Sequence, residues 1–539
     1  MLSKEEGLAL LRESGKLRDI QATVDSEEAL AKIPRLKISD LEKKQYEYPI
    51  KVDEDVWDSG VTVLEHQVPS SKGLVYIDFA LDISHFDIED VVFLPAFCRM
   101  MLKLGTERVS GIALQREIDR ETGGISISPL IEEVIVPSSD GGYVVPDGTH
   151  MVSKIVMSSS TVGETENLGL FSIYRQTLYE TNFNQGEQVK RILKEMIGEM
   201  ENDIQVNGDK YTELRIKSKY SLSGFVAEQW KGVTQLMNLR RMLYQAEHDF
   251  DTLNAKLTDM RDTLKNGHRN GMLLSVTGEK QALKTFSRAV ETFIKQYLPD
   301  PSGTTKFPDF KKVEHPWVTK AKNLMAQANG KGKMNEAFVV PSRVNSVGEG
   351  GELFDNGEKI DGSNFVVTKY IGGHYLFNKV RTVLGAQDAW ASLDLDSGVL
   401  IYQSKYDPNV VPTLDVYKEG ATFLWNEVHD DSKLPVEAVA SVVAAIGELD
   451  GTAPQPQNIG YDSMVQYLKN EKPETRQKWR DEILGTNKDS VMAMIERIGS
   501  WGKTSIAIVG GQQAFDKAVG EGLNITACDF KGYTCYAET

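Results

Sequence analysis

The stretch that decides the fold is Gly73–Leu104, GLVYIDFALDISHFDIEDVVFLPAFCRMMLKL. Its first part, LVYIDFAL, partly alternates between faces in its apolar residues, which predicts a strand. In the second part, four apolar side chains recur at spacings of three and four: Val91, Leu94, Cys98 and Met101. That spacing predicts a helix with one apolar face, so the stretch reads as a strand followed by a helix.

The rest of the chain repeats this pattern in two cycles. The first runs through strands, a helix, further strands and several helices to a short apolar strand, GMLLSVTG, at 271–278. The second follows the same order, from AFVVP at 337–341 to TSIAIVG at 504–510. Because strands and helices come in blocks, the predicted class is α+β with two similar units, and not a Rossmann fold.

Prolines and glycines set the boundaries between these units. Residues 299–335 contain four prolines and the run Gly330-Lys-Gly-Lys333, which predicts a linker between the units. The units themselves are then 51–298 and 336–539. Residues 1–50 precede them and begin with a predicted helix.

Three details of the second unit are also predicted. Asp396-Ser-Gly398 predicts the turn of a hairpin. The glycine-rich stretch at 348–351 is interpreted as a loop, because no lysine and hydroxyl pair follows it to hold a phosphate. A helix is predicted over Ser363–Leu384, with one face formed by Val366, Tyr370, Phe377, Val380 and Leu384.

Composition excludes two classes of function. The chain has 539 residues, with 61 basic and 78 acidic side chains and a net charge of −17, which argues against nucleic-acid binding. No apolar run approaches the roughly 20 residues that span a bilayer.

The histidines exclude the common helical zinc motifs. The two nearest in sequence, His66 and His85, are 19 positions apart, so neither H-E-x-x-H nor H-x-x-E-H occurs. A phosphate-binding P-loop and a G-x-S-x-G nucleophile elbow are also missing from the sequence. A zinc site built from distant residues stays open. The residues alone indicate an α+β protein with no catalytic centre of its own.

Seven strings, in this order, resemble strings of one peptidase family: Gly73-Leu-Val-Tyr-Ile77, Leu94-Pro-Ala-Phe-Cys98, Lys103-Leu-Gly-Thr106, Thr122-Gly-Gly-Ile-Ser-Ile-Ser-Pro129, Val344-Asn-Ser-Val-Gly348, Asp396-Ser-Gly-Val399 and Tyr406-Asp-Pro-Asn409. From about residue 30 onward, the chain resembles the C-terminal half of presequence-protease-like members of the pitrilysin/insulinase family. These are metallopeptidases with an inverted zinc motif.

The resemblance implies an architecture. In that family four related α+β domains form two halves, joined by a helical hairpin, that close around a chamber for short unfolded peptides. Residues 51–298 then correspond to the third domain, 336–539 to the fourth and 1–50 to part of the hairpin. Zinc, its ligands and the catalytic glutamate belong to the N-terminal half. The resemblance therefore implies no catalytic residue, metal ligand or cofactor in this chain, and Asp90–Leu104 resembles the helix that carries zinc ligands in the first domain.

The resemblance also implies two substrate-binding residues. In the family, an arginine and a tyrosine six positions later, within Gly-Gly-Ala-Tyr, hold the substrate carbonyl. The corresponding string here is Arg381-Thr-Val-Leu-Gly-Ala-Gln387, so Arg381 matches and Gln387 replaces the tyrosine. Glutamine keeps an amide donor, but losing one oxyanion donor typically costs about 10²–10³ in rate. Without the resemblance, Arg381 is a surface arginine favoured near a helix C-terminus.

Two functions follow from the resemblance. In the first, the chain is a non-catalytic half, inactive alone, whose partners are a zinc-bearing N-terminal half or related subunit and short unfolded or targeting peptides. In the second, it is a catalytically decayed member that serves as a structural or interaction subunit of a larger organellar complex, which Gln387 favours. Whether the chain is a separate subunit or a piece of a longer protease stays open. The implied location is the mitochondrial matrix or plastid stroma; the first residues show no targeting segment, which leaves the cytoplasm open.

Overall fold

The computed structural model describes residues 4–22, 26–30, 32–34, 36–54, 56–163, 168–266, 271–298, 315–330, 335–429, 434–451 and 455–529. The chain forms two compact units, Met1–Glu42 and Lys43–Thr539. The first unit contains helix α1 (Lys4–Ala22) and the short helix α2 (Glu27–Leu30). Large apolar side chains of α1 are exposed: Leu8, Leu10, Leu11, Leu17 and Ile20.

The second unit contains two six-stranded sheets and a two-stranded ribbon. The strands, in chain order, are β1 (Lys51–Asp53), β2 (Thr62–Gln67), β3 (Leu74–Asp82), β4 (Ile125–Glu133), β5 (Tyr143–Val144), β6 (Met151–Val162), β7 (Leu273–Gly278), β8 (Glu336–Val339), β9 (Asn345–Glu352), β10 (Lys359–Ile360), β11 (Asp388–Leu393), β12 (Val399–Asp407), β13 (Ser505–Gly510) and β14 (Thr526–Asp529).

Helices fill the connections between these strands. Their bounds are α3 (Ile88–Leu104), α4 (Gly111–Glu121), α5 (Leu168–Tyr179), α6 (Gly186–Val206), α7 (Gly208–Lys217), α8 (Leu222–Lys231), α9 (Val233–His248), α10 (Phe250–Lys265), α11 (Lys280–Thr292), α12 (Val318–Gly330), α13 (Gly362–Tyr370), α14 (Val411–Lys418), α15 (Gly420–Val428), α16 (Leu434–Asp450), α17 (Pro456–Leu468), α18 (Pro473–Leu484), α19 (Lys488–Gly499) and α20 (Gln512–Gly520). Two π-helices, Phe293–Tyr297 and Ile371–Val383, continue α11 and α13.

The two sheets repeat one topology. The first has the strand order β1-β2-β7-β3-β6-β4, and the second, from its opposite edge, has β14-β8-β13-β9-β12-β11. In both, the second and third strands are parallel and the remaining pairs along the order to the last strand are antiparallel. The predicted α+β class with two similar units is confirmed.

Each sheet is covered on one face by a helix from the other half of the chain. Helix α7, which precedes β7 in the chain, packs on β9, β12 and β13 of the second sheet. Helix α17, which lies between β12 and β13 in the chain, packs on β2, β3 and β7 of the first. We call this arrangement reciprocal packing.

Glycines of β9 make room for α7. The buried Ile216 side chain lies so close that a Cβ on Gly348 or Gly350 would be 3.0 or 2.9 Å from its carbon atoms. Larger residues on β9 would push α7 off the sheet. The interpretation of 348–351 as a loop is therefore wrong, because these glycines belong to a buried strand that needs them for close packing.

Helix α17 makes the matching contact on the first sheet. Met464 and Leu468 are buried against four side chains of the sheet: Leu64, Ala80, Val156 and Leu273. The Ser275 hydroxyl donates to the Gly460 carbonyl at 3.2 Å, which fixes the N-terminal part of the helix.

Ion pairs at the ends of these two helices converge on one turn. Lys217 ends α7, and its Nζ lies 2.9 Å from an Oδ of Asp394. Lys469 directly follows α17, and its Nζ lies 3.0 Å from Asp396 and 3.3 Å from Glu132. Asp394 and Asp396 both lie at the β11–β12 turn, and Gly398 in that turn has a φ of 66°. The predicted hairpin is confirmed.

A second buried cluster lies where β8 begins. Arg215 of α7 donates two hydrogen bonds of 2.8 Å to the Glu336 carboxylate, and the Lys219 ammonium lies 2.8 Å from it. Burial alone would raise the pKa of Glu336, but these two cations hold it at about 2. Glu336 is therefore ionised at neutral pH, and the start of β8 is tied to the end of α7.

The predicted linker differs from the structure over part of its length. It contains α12 (Val318–Gly330), whereas residues 299–314 and 331–334 lie outside the described residues. Trp317 and Ala321 are buried in the core of the first sheet, which explains why this stretch is ordered despite its prolines. No helix was predicted for α17.

We expect Ile216→Ala to lower the free energy of unfolding by about 2–5 kcal/mol, because it empties the contact between α7 and the second sheet. Urea denaturation followed by circular dichroism measures this change. Ile112→Ala, at a helical isoleucine that is 71% exposed, is the matched control and should cost at most about 0.5 kcal/mol. Equal losses for the two variants would contradict the role of reciprocal packing.

Glu133, at the end of β4, predicts a pH-dependent stability. Burial raises the pKa of Glu133 from 4.5 to about 8, and the nearby Asp396 raises it further, although Ser223 donates a hydrogen bond of 2.7 Å to its carboxylate. Between pH 4.5 and 8 the folded chain holds a proton that the unfolded chain has released, so stability falls as pH rises through this range.

We expect Glu133→Gln to remove this fall and to stabilise the chain at about pH 8 by about 1–3 kcal/mol relative to wild type, with little change at about pH 5. Urea midpoints at both values test it. Glu187→Gln, at a side chain that is 90% exposed, serves as the control. A wild-type and Glu133→Gln difference that does not vary with pH would rule out a buried, protonated Glu133.

Candidate functional site

The segment that carries Arg381 is the π-helix Ile371–Val383. Hydrogen bonds in a π-helix reach five residues back, as from the Leu384 N–H to the Lys379 carbonyl at 3.1 Å. The buried side chains accordingly recur at spacings of four and five: Ile371, Tyr375, Leu376 and Val380. Such helices are rare, and short ones are frequent at functional sites.

The π-helix corrects one part of the sequence prediction. Val366, Tyr370 and Val380 are buried as predicted, but Phe377 is 37% exposed. In an α-helix Phe377 would follow Tyr370 on the same face after two turns. The wider π turn rotates it out of that face and onto the surface.

Aromatic contacts hold the π-helix in place. The Tyr375 ring stacks on Phe423 of α15, with ring centres 4.7 Å apart. Its hydroxyl donates to the Val416 carbonyl of α14 at 2.9 Å. The helix is thus fixed from two neighbouring elements before it reaches Arg381.

The structure brings the two predicted substrate-binding residues together. Gly385, with φ of 86°, turns the chain from the π-helix toward β11. Across this turn the Arg381 Nε donates to the Gln387 carbonyl oxygen at 2.9 Å. The guanidinium carbon lies 4.4 Å from the centre of the Phe377 ring, a cation–π contact. Both Arg381 and Gln387 are exposed.

This geometry leaves binding groups at the surface. A guanidinium has five N–H donors, and only the Nε donor is used; within the described residues, its terminal nitrogens have no hydrogen-bond partner. The Gln387 side-chain amide likewise has none in that part of the chain. Arginine and amide groups do not exchange protons near neutral pH, so the pair can bind a carbonyl or carboxylate but is not an acid or base.

Two apolar residues of the site were missed. Phe377 and Val383, which is 73% exposed, lie on the same π-helix as Arg381. The signal in the sequence was the spacing of four and five between apolar residues in IGGHYLFNKV, which does not suit an α-helix. With them, the site combines cationic, amide and apolar groups.

Helix α3 tests whether zinc fits this chain. It corresponds to the predicted helix at Asp90–Leu104 and carries a single sulfur or imidazole donor, Cys98. Cys98 is buried, and burial raises the pKa of its thiol, which disfavours the thiolate that binds metals. No group of three or more His, Cys, Asp or Glu side chains in the described parts of the chain could hold a metal ion. The donors on α3 do not fit zinc.

Comparisons with known proteins give the family. A family model for the associated region of subfamily C of the M16 peptidases matches residues 1–242, and one described as "PreP C-terminal domain" matches residues 335–509. The chloroplastic/mitochondrial presequence protease 1 of Arabidopsis thaliana is 28% identical over 90% of this chain and 41% of that protein. Protein HypA of Clostridium perfringens is 24% identical over 92% of this chain and 47% of that protein.

Solved structures show the same fold. The peptidase M16 inactive domain from Pseudomonas fluorescens has a TM-score of 0.54 at 10% identity, over 86% of this chain and 98% of that chain. A conserved protein from Enterococcus faecalis also has a TM-score of 0.54, at 14% identity, over 86% of this chain and 99% of that chain.

The chain therefore belongs to the presequence-protease-like members of the M16 peptidase family and corresponds to their C-terminal half. It spans a little under half the length of the two curated relatives above. None of the helices within the described residues is long and apolar enough to cross a membrane.

Proposed function

We propose that the chain is a non-catalytic C-terminal half of a presequence-protease-like zinc peptidase and forms one wall of a chamber that binds short unfolded peptides. The observation that carries this proposal is the exposed Arg381, fixed by the Gln387 carbonyl and the Phe377 ring while its terminal N–H groups are left to bind. The fold shared with an M16 inactive domain supports it.

Arg381 suits a peptide ligand for a physical reason. Its side chain is already ordered by two contacts, so binding a peptide carbonyl costs less rotamer entropy than it would for a free arginine. Phe377 and Val383 offer apolar area beside it. The net charge of −17 would favour basic peptides, although this support is weak because acidic totals are common.

The chemistry of peptide-bond cleavage is assigned to the partner. Zinc, expected in an N-terminal half or related subunit, would polarise the substrate carbonyl and activate water. This chain would contribute orientation of the peptide and exclusion of water, and needs no cofactor of its own. Alone, it is expected to be inactive.

The location is proposed from relatives. Presequence proteases of Arabidopsis thaliana and Mus musculus are named for mitochondria or chloroplasts, which supports the mitochondrial matrix or plastid stroma. The Clostridium perfringens relative matches a similar share of the chain, so the cytoplasm stays open.

A second function is favoured by one observation. Gln387 stands where the family has a tyrosine, and its carbonyl already occupies one donor of Arg381. A member with decayed chemistry could then serve as a structural or interaction subunit of a larger complex. The two proposals differ in whether Arg381 affects peptide cleavage.

We expect a quenched basic peptide to be cleaved only when the chain is mixed with a zinc-loaded N-terminal half of a presequence protease. In that mixture Arg381→Ala should lower kcat/KM about 10²-fold, because it removes a donor to the substrate carbonyl. Fluorescence release measures the rate.

The control is Arg343→Ala, which removes an exposed arginine of the same half of the chain and should leave the rate unchanged. Bound zinc and zinc-dependent cleavage by the chain alone would contradict the proposal. A stable mixture without cleavage would favour the structural subunit.

We expect Gln387→Tyr to raise kcat of the same mixture at least about tenfold, because a phenol is a longer and more rigid donor than the amide. Position 387 is exposed, so the larger ring fits without repacking the core. Gln387→Asn, which shortens the donor, is the matched control and should lower kcat. An unchanged rate for both variants would show that position 387 does not contact the reacting carbonyl.

A further inference from the structure

The free edge of β4 is the longest uncovered backbone surface of the first sheet within the described residues. β4 is the last strand of that sheet and has nine residues, Ile125–Glu133. The strand at the other edge, β1, has three. An exposed, long edge can pair with another extended chain, so most proteins cover or interrupt such edges.

The hydrogen-bond register shows which groups of β4 point outward. The Val134 N–H donates to the His150 carbonyl at 3.0 Å, and β4 pairs with β6 in the same register throughout. In an antiparallel ladder only alternate residues bond to the neighbouring strand. Even-numbered residues of β4 therefore bond to β6, and odd-numbered residues direct their N–H and C=O groups to the free side.

Proline fits this assignment. Pro129 lies at an odd, outward position, where its missing N–H costs no bond to β6. The outward donors between 125 and 131 are thus the N–H groups of Ile125, Ile127 and Ile131. Pro129 adds a fourth outward carbonyl, and within the described residues these groups have no hydrogen-bond partner.

The same edge already accepts a backbone partner where β4 ends. Two residues beyond the strand, the Ile135 N–H donates to the Lys469 carbonyl at 2.7 Å, and the Asn470 amide donates to the Ile135 carbonyl at 3.1 Å. Pairing begins at this point and does not continue along the strand.

The equivalent edge of the second sheet is blocked. On β11 the outward residues are Ala389 and Ala391, because Asp394 bonds inward to Val399. The Ala389 N–H donates to its neighbour Asp388, and the π-helix lies so close that a Cβ on Gly372 would be 3.1 Å from the Ala391 nitrogen. Sheets of one topology thus differ at this edge.

We propose that the edge of β4 binds an extended segment of an unfolded peptide, which adds to the first sheet as a further strand along Ile125–Ile131. The proposal rests on the proposed peptide-binding function and adds a second site, which recognises backbone, to the side-chain site at Arg381. On one face the half-buried isoleucines would lie beside the peptide, and on the other the exposed Ser126 and Ser128. The segment that fits has apolar residues at alternate positions and no proline facing the edge.

The first test is amide hydrogen exchange in the full chain labelled with ¹⁵N-isoleucine. The probe is a fluorescein-labelled peptide of about 12 residues with alternating lysine and valine, long enough to span the edge. Saturating peptide should slow exchange at Ile125, Ile127 and Ile131 at least about tenfold. Ile155 of β6, inside the sheet, is the internal control and should not change.

The second test removes one outward donor. Ile127→Pro deletes the outward N–H, whereas Ile127→Ala loses the same side chain and keeps it. We expect Ile127→Pro to weaken binding, measured by fluorescence anisotropy, about fivefold more than Ile127→Ala. Unfolding midpoints of the two variants check that both are folded, and the exchange result stands if either is not.

Each outcome decides between occupants. Peptide binding by anisotropy with unchanged isoleucine exchange would overturn the edge site and leave the proposed function standing. No binding at any accessible concentration would overturn both. Slow exchange that appears without peptide and grows with protein concentration would assign the edge to a second copy of the chain, and so would also overturn the proposal.

Discussion

The reciprocal packing of α7 and α17 is the contact on which the rest of Lys43–Thr539 depends. Each helix covers a sheet face that belongs to the other half of the chain, so separating the halves would expose two apolar helices and two apolar sheet faces at once. The cations that end these helices, Lys217 and Lys469, both reach the β11–β12 turn. They also lie where the carboxyl ends of the helix dipoles favour positive charge.

That turn links the packing to the candidate site. β11 begins at Asp388, directly after Gln387, and β12 supplies the Lys405 carbonyl that accepts the Gln387 N–H at 3.0 Å. The position of the Gln387 carbonyl, and with it the Arg381 guanidinium, is therefore set by a hairpin that both reciprocal helices hold. A change in the packing at Ile216 should then disturb the site without any contact to it.

Local chemistry predicted some elements and missed others for one physical reason. LVYIDFAL and the Asp396-Ser-Gly398 turn are determined by their own residues, and both were predicted. The glycines of β9 are a strand because Ile216 packs on them from far away in sequence, and α17 is a helix with few apolar residues, held by the first sheet. At the site, the resemblance located Arg381 and Gln387. Their contact was not predictable, because its acceptor is a backbone carbonyl, which no side-chain pattern records.

Two sheets of one topology within one chain also explain how the halves could divide a common task. In the second sheet, the helix between β9 and β11 is π-wound at its end; Gly372 then lies against the edge of β11, and Arg381 projects from the last turn. In the first sheet, α3 occupies the same place in the order, stays α-helical, and leaves the edge of β4 uncovered within the described residues. A side-chain donor is therefore available where the backbone edge is blocked, and a backbone edge where that donor is missing. An extended peptide offers carbonyl and amide groups along its whole length, so it can use both kinds of surface.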